Sequence, residues 1–401
     1  MSPRPEVDYR QYIKERGVLS FIYSYLPDPL SKQDLRRVIG KLGYPLSSFP
    51  PLDTSPLREI IEALSSHLVL DKDLDITIQN PSLWMSSKPR YTVDRFLDDL
   101  RVAKKIVVVT GAGISTSLGI PDFRSIQGIY KQVEHLKLED PQDVFDIRVF
   151  NEDPTLFYNI AYKLLPADEH QFSVLHSFIR LLQDKGKLLR NYTQNIDDLE
   201  VSAGIDKAKL IQCHGSFHCA RCISCKARFK GEKIHEHIRK QQVPRCNACW
   251  GKPQFNQTTD VSYGVVKPDI TFFGESLPKR FFENCKTDLQ ECDLFIAIGT
   301  SLKVSPVSDM VSKTSRKVKR ILINRDPIVD RNFDLTLTGN CDDVATFLCQ
   351  HLGSDWDLPH PKFDPTLPIV ADDVDVFENI YNVHQEPATS VNSSVLVDER
   401  A

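Results

Sequence analysis

The sequence predicts an α/β protein built on a doubly wound parallel sheet, and three observations carry that expectation. From Lys104 onward, short runs rich in β-branched residues alternate with helix-length segments, the rhythm of strand–helix–strand crossovers. The first run, Ile106-Val-Val-Val-Thr110, empties into Gly111-Ala-Gly-Ile-Ser115 and then Gly119-Ile-Pro-Asp-Phe-Arg124. A glycine-rich turn after a strand is where such sheets hold ligands. Two Cys-x-x-Cys pairs interrupt the alternation within residues 216–265, marking an inserted module. The whole is expected to be a doubly wound large domain with an inserted small cysteine-bearing module and a helical insertion, behind a helical N-terminal extension.

Residues 1–90 read as helical. Ser31 with Asp34 makes a capping-box pattern before Leu35, Val38, Ile39 and Leu42, which share one helix face. Ser55 and Pro56 mark a second start, with Leu57, Ile60, Ile61 and Leu64 at helical spacing. Thr92 opens a third helix, carrying Val93, Phe96, Leu97 and Leu100. A helical module packing on the main domain or on a partner fits this pattern; a dedicated interaction domain is the alternative. Strands are expected at Lys105–Thr110, Leu188–Thr193, Leu210–Cys213, Asp269–Phe273, Leu294–Gly299 and Arg320–Asn324, within a core spanning residues 91–355. Residues 134–180, with Pro141, Phe150, Phe157, Leu164, Phe172 and Leu175, read as a helical insertion. Residues 356–401 turn acidic and Pro-rich and end in Thr389-Ser-Val-Asn-Ser-Ser, a largely disordered tail in which Ile369–Tyr381 is apolar enough to dock.

The 401 residues carry a net charge of −4, which gives no global case for binding nucleic acid or an anionic membrane. No apolar run approaches the roughly 20 residues that span a bilayer, and Met-Ser-Pro-Arg-Pro-Glu has no apolar signal core. Ten cysteines without a signal peptide point to metal ligation and free thiols in an intracellular protein. Lys313–Arg320 resembles a nuclear-localisation run, yet it leads into a strand and is better read as a solvated helix face.

Gly111 and Gly113 would let the backbone approach a phosphate, with the N–H groups of a following helix facing the anion. The spacing Gly-x-Gly-x5-Gly departs from the dinucleotide fingerprint Gly-x-Gly-x-x-Gly, so a nucleotide that is consumed fits better than one that is merely held. Cys222-x-x-Cys225 and Cys246-x-x-Cys249 supply four thiolates for a tetrahedral, structural Zn²⁺; Cys219 competes as a ligand, and a DNA-reading finger lacks its recognition helix. Thr193-Gln-Asn-Ile-Asp197, His214-Gly215, Gly299-Thr-Ser301 and Asn324-Arg325 stand at the ends of expected strands. His214 is the general-base candidate, since imidazole titrates near neutral pH. Asn195 and Asp197 offer partners for a carboxamide or water.

These segments, with Lys267-Pro-Asp-Ile-Thr-Phe-Phe-Gly-Glu275 and Gly299-Thr-Ser-Leu-Lys-Val-Ser-Pro306, resemble the sirtuins, NAD-dependent protein deacylases, over residues 90–350. The wording of Asp140–Phe145 and Gly186–Thr193 is similar to the class I fungal silencing and histone deacetylase subgroup. The resemblance implies a Rossmann-like large domain and a small zinc-binding and helical second domain, with NAD and an acyl-lysine peptide meeting between them and one structural zinc. It implies attack of the acyl oxygen on C1′ of the nicotinamide ribose, loss of nicotinamide and an O-alkylamidate. His214 then activates a ribose hydroxyl, and water releases O-acetyl-ADP-ribose and lysine.

By the same resemblance, Ile120, Phe123, Asn195 and Asp197 surround the nicotinamide amide, while Gly111, Ala112, Arg124 and Gln194 contact ribose and phosphates. Gly299, Ser301, Asn324 and Cys341 line the adenosine end. Gly113, Ser115, Asp122, Tyr130, Ile196, Thr300, Val304, Arg325 and Asp326 complete the cofactor set. Thr271, Phe273, Gly274 and Glu275 hold the peptide as an added strand. Relatives that prefer acidic acyl groups carry Tyr-x-x-Arg in the helical insertion; Phe157-Tyr-Asn-Ile-Ala161 lacks that arginine, which favours acetyl over succinyl. The implied function is deacetylation of histone tails in nuclear chromatin silencing, with chromatin partners reached through the N-terminal region. Mono-ADP-ribosyl transfer to protein and a non-catalytic NAD-binding silencing scaffold are the alternatives.

Overall fold

Valine and isoleucine are stiff at χ1 and pack well on a pleated surface, so runs rich in them form strands. The computed structural model describes residues 9–16, 32–55, 57–71, 91–125, 128–136, 138–165, 171–250, 252, 260–328, 331–375 and 379–386. Its strands are β1 (Ile106–Thr110), β2 (Leu188–Thr193), β3 (Leu210–Gln212), β4 (Gly215–Cys222), β5 (Arg228–Lys230), β6 (Val266–Ile270), β7 (Leu294–Ile298), β8 (Lys319–Asn324), β9 (Leu335–Thr338), β10 (Ile369–Asp375) and β11 (Ile380–Gln385). Eight form one sheet in the order β10-β11-β9-β8-β7-β1-β2-β3. Every pairing in it is parallel except β10 with β11.

Both faces of this sheet are covered, as parallel strands require. Ile106 and Val108 pack on one face with the helices Val93–Val102, Val174–Asp184 and Cys341–Leu352, while Val107 and Val109 pack on the other beneath Lys279–Glu291. Thr92 caps its helix through Oγ1, which accepts from the Arg95 N–H at 3.4 Å, and Val93, Phe96, Leu97 and Leu100 are buried as their spacing predicts. The small sheet, ordered β5-β4-β6, is antiparallel. Its core joins Phe145, Phe150, Phe157, Tyr158 and Phe272 to the buried cysteines of the zinc module.

Several expectations need correction. Asp269–Phe273 is not a strand of the parallel sheet; the strand is β6, three residues earlier in its start, and it pairs with β4. The helix Val174–Asp184 packs on the main sheet, so the helical insertion ends before it. Residues 356–375 and 379–386 are not a disordered tail: β11 pairs in parallel with β9, and Ile369, Ile380, Tyr381 and Val383 are buried. The outer strand β10 exposes Asp372 and Asp373, and such charges on an edge discourage further pairing. Those acidic residues are what made the segment look unfolded. Thr389–Ser394 lies outside the described residues. Lys313–Arg320 is not a helix face, because Lys319 and Arg320 already belong to β8 and pair with Asp334.

The chain divides into two compact units, Met1–Pro89 and Arg90–Ala401. In the first, Lys32–Lys41 buries Leu35, Val38 and Ile39, and Leu57–Leu70 buries Ile60, Leu64 and Leu68 around a core shared with Tyr9, Ile13 and Leu42. The Asp71 carboxylate accepts from Arg10 and from the Tyr44 hydroxyl, each at 2.7 Å. Ser31 and Pro56 lie outside the described residues. Among the described residues, no helix is long and apolar enough to cross a membrane.

Candidate active site

The carboxyl ends of β1, β2, β3, β7, β8 and β9 open onto one cavity of about 1700 Å³. Strand β1 lies between β2 and β7, so the winding of the chain reverses there, the place where doubly wound sheets bind ligands. The cavity wall includes Gly111, Ala112, Gly113, Ile120, Asp122, Phe123, Arg124, Tyr130, Gln194, Asn195, Ile196 and His214. It continues through Thr271, Phe273, Gly274, Glu275, Gly299, Thr300, Ser301, Val304, Asn324, Arg325, Asp326 and Cys341. Sequence-separated candidates from both the sheet and the small domain therefore converge on one space.

The glycine-rich loop differs from its expected form. Two 3₁₀ turns, Ala112–Ile114 and Thr116–Leu118, follow β1 in place of a helix. The N–H groups of Gly113 and Ile114 are spent on Gly299 O and Gly111 O, at 2.8 and 3.1 Å. A Cβ on Gly113 would stand 2.7 Å from Gly299 Cα, and one on Gly111 2.8 Å from Gly299 O. These glycines permit two loops, after β1 and β7, to touch backbone to backbone. Gly113→Ala is therefore expected to cost about 1–3 kcal/mol of stability, as overpacking does, and to weaken binding of a nucleotide in this cavity; a denaturant midpoint and a binding titration measure the two effects.

His214 follows β3 and is half-buried. Its Nδ1 lies 2.9 Å from Gln194 O, an acceptor only, so Nδ1 carries the proton and Nε2 holds the lone pair. Burial pushes its pKa below the ordinary histidine value. Gln194 is itself fixed, its Nε2 donating to Thr300 Oγ1 at 2.7 Å. Asn195 Nδ2 donates to Gly111 O at 3.2 Å, tying the loop after β2 to the glycine-rich loop.

Two candidates do not reach the cavity surface. Ser115 Oγ donates to Asp197 Oδ2 at 2.7 Å, and both residues are buried behind the wall formed by Asn195 and Ile196. The Asp197 carboxylate, expected against a carboxamide, instead holds Ser115 and accepts from the Leu199 N–H at 3.2 Å. Burial raises its pKa, and burial also pushes neighbouring Glu200 up to about 8. The sequence hid this inner layer, since neither Glu200 nor its donor Thr110, 3.2 Å away, stood out by pattern.

Further wall residues escaped the motifs. Gly339, Asn340, Asp342 and Asp343 follow β9, a strand too short to recognise. Lys163, from the helical insertion, donates through Nζ to Gln132 Oε1 at 2.8 Å, and Gln132 ends the short helix Ile129–Gln132 just before that insertion. In the same insertion Tyr158 is buried and donates to Val266 O at 2.5 Å, and Ala161 is buried.

The four paired cysteines fit a tetrahedral metal. Their sulfur atoms all lie within 4.8 Å of one another, and Cys222–Cys249 and Cys225–Cys246 are each 3.7 Å apart. Zn–S bonds of about 2.3 Å at tetrahedral angles place sulfurs about 3.8 Å apart. Burial pushes the Cys249 thiol up to about 12, so a cation is what would hold it as thiolate. Cys219 is exposed and outside the group, which removes it as a competitor.

Comparison with known proteins agrees with this geometry. The Sir2 family model matches residues 111–306. The chain is 42% identical to "NAD-dependent histone deacetylase SIR2" of Candida albicans, over 89% of this chain and 79% of that protein. It is 49% identical to "NAD-dependent protein deacetylase HST1" of Saccharomyces cerevisiae, over 79% and 66% respectively. To "NAD-dependent histone deacetylase SIR2" of the same yeast it is 41% identical, over 90% and 72%. With identity of this degree over most of the chain and of the relatives, the chain belongs to the Sir2 family.

Proposed function

We propose that this protein is an NAD-dependent protein-lysine deacetylase acting on acetylated histone tails in the nucleus, in chromatin silencing. The observation that carries the reading is His214: a base of fixed tautomer on the wall of a cavity shared by the nucleotide-type loops and the segment 271–275. The names of the relatives support the substrate class and the nuclear setting. NAD, as co-substrate, supplies the C1′ centre and is consumed to nicotinamide and O-acetyl-ADP-ribose.

In this reading the loops after β1 and β7 hold ribose and phosphates through Gly111, Ala112, Gly113, Thr300 and Ser301, while Asn324, Arg325, Asp326 and Cys341 meet the adenosine. Ile120, Phe123, Asn195 and Ile196 enclose the nicotinamide. Ser115 and Asp197 brace that pocket from behind. His214 Nε2 takes the proton of a ribose hydroxyl, and Thr271, Phe273 and Gly274 carry the peptide. Cys222, Cys225, Cys246 and Cys249 hold one zinc, which has no open position for chemistry and serves the fold. The N-terminal unit is the surface for chromatin partners.

The base must be neutral to act, and its pKa is depressed. Activity is therefore expected to hold as pH falls to 6.5 and to drop only below it, through the lowered pKa; a kcat/KM profile that already halves above 6.5 contradicts this assignment. An acetyl-peptide array assayed with and without NAD tests the function. NAD-dependent loss of acetyl supports it, and acetyl peptides should outrun succinyl peptides because Ala161 stands where a carboxylate partner would be needed. ADP-ribose appearing on protein while acetyl groups persist would favour transferase activity instead.

A further inference from the structure

Lys267 opens the motif Lys267–Glu275 but has no part in the function proposed above. A lysine is rarely buried without a reason, and here the side chain is 7% exposed. Its Nζ donates to Ile270 O at 2.6 Å and to Glu275 Oε2 at 2.8 Å, and it sits 4.1 Å from the centroid of the Phe272 ring. The same Glu275 oxygen accepts from the Phe272 N–H at 2.8 Å. Residues 270, 272 and 275 are thus tied to one charge pair whose lysine is buried and whose carboxylate is half-buried. The residues between them bond elsewhere: Thr271 N–H donates to His214 O, and Phe273 N–H to Phe145 O, each at 2.8 Å. The segment leaves β6, makes one parallel bridge from Phe273 to Asp146, and turns at Gly274, whose φ is +86°.

We infer that Lys267 is a positioning residue for the peptide: it fixes segment 270–275, and through Thr271 the carbonyl of His214, without touching either substrate. The inference rests on the deacetylase reading. It also recasts Glu275, whose Oε2 serves this clamp rather than the peptide. Removing the ammonium leaves a carbonyl and a carboxylate without their shared donor, and the segment relaxes.

The test combines kinetics with hydrogen exchange on Lys267→Met and Glu275→Gln, each checked for zinc content. Lys267→Met is expected to raise the peptide KM about tenfold, the scale on which small misplacements of positioning groups are felt. Its kcat and NAD KM should stay within about threefold, and the amides of Thr271–Glu275 should exchange faster. Glu275→Gln should act in the same direction, and the double variant should be no worse than Lys267→Met because both break one clamp. A folded Lys267→Met protein with unchanged peptide KM and exchange overturns the inference, as does an equal rise in NAD KM. If Lys267→Met does not fold, an unchanged peptide KM in Glu275→Gln overturns it. Inactive wild-type protein would sink the deacetylase reading instead, while exchange at 271–275 still decides the clamp.

Discussion

Replacing His214 with alanine is expected to lower kcat by about 10²- to 10⁴-fold, the usual contribution of a positioned general base. The fold should persist, because His214 makes one side-chain hydrogen bond, to Gln194 O, and its backbone carbonyl still receives Thr271 N–H. Zinc content should also be unchanged, since His214 is no part of the cysteine group. Single-turnover assays should show the loss in the chemical step while NAD binding survives. Near-normal turnover in this variant would remove His214 from the mechanism.

Loss of the zinc should be as severe by a different route. Cys222, Cys246 and Cys249 are buried within the same core as Phe272 and Val266. Structural zinc binding is worth about 10–16 kcal/mol in small domains at neutral pH, far more than the small sheet of three strands can supply by itself. Cys222→Ala with Cys246→Ala, or chelation, is therefore expected to open the module and with it β6. Segment 271–275 is covalently continuous with β6 and pairs with His214 and Phe145, so peptide deacetylation should fall below detection. The parallel sheet has separate cores on its two faces and should retain its structure. Exchange confined to residues 215–275, alongside protected β1 and β7 amides, is the measurement. Full activity in the zinc-free protein would contradict the structural role.

How much of this was legible in the sequence depends on the kind of signal. Strands buried on both faces, such as β1 and β7, announce themselves because every position is apolar or β-branched. The cysteine pairs were equally plain, since tetrahedral ligation imposes a fixed spacing. The strands β9, β10 and β11 were not legible: one is four residues long and another exposes aspartates, so their stability comes from neighbours distant in sequence. At the site, motif residues at strand ends converged on the cavity, yet Ser115 and Asp197 proved to lie one layer deeper. Spacing places a residue near a site but does not say which way its side chain faces. The glycines of the first loop were recognised, but their need arises from contact with Gly299, a residue almost two hundred positions later.

The central claim, that lysine deacetylation in this cavity consumes NAD, is tested most directly by stoichiometry. An acetylated histone-tail peptide is incubated with the protein and limiting NAD, and nicotinamide, free lysine peptide and O-acetyl-ADP-ribose are quantified together. The account predicts that the three appear in equal amounts and that none forms without NAD. Deacetylated peptide formed without nicotinamide, or NAD consumed while the acetyl group stays on lysine, would contradict it.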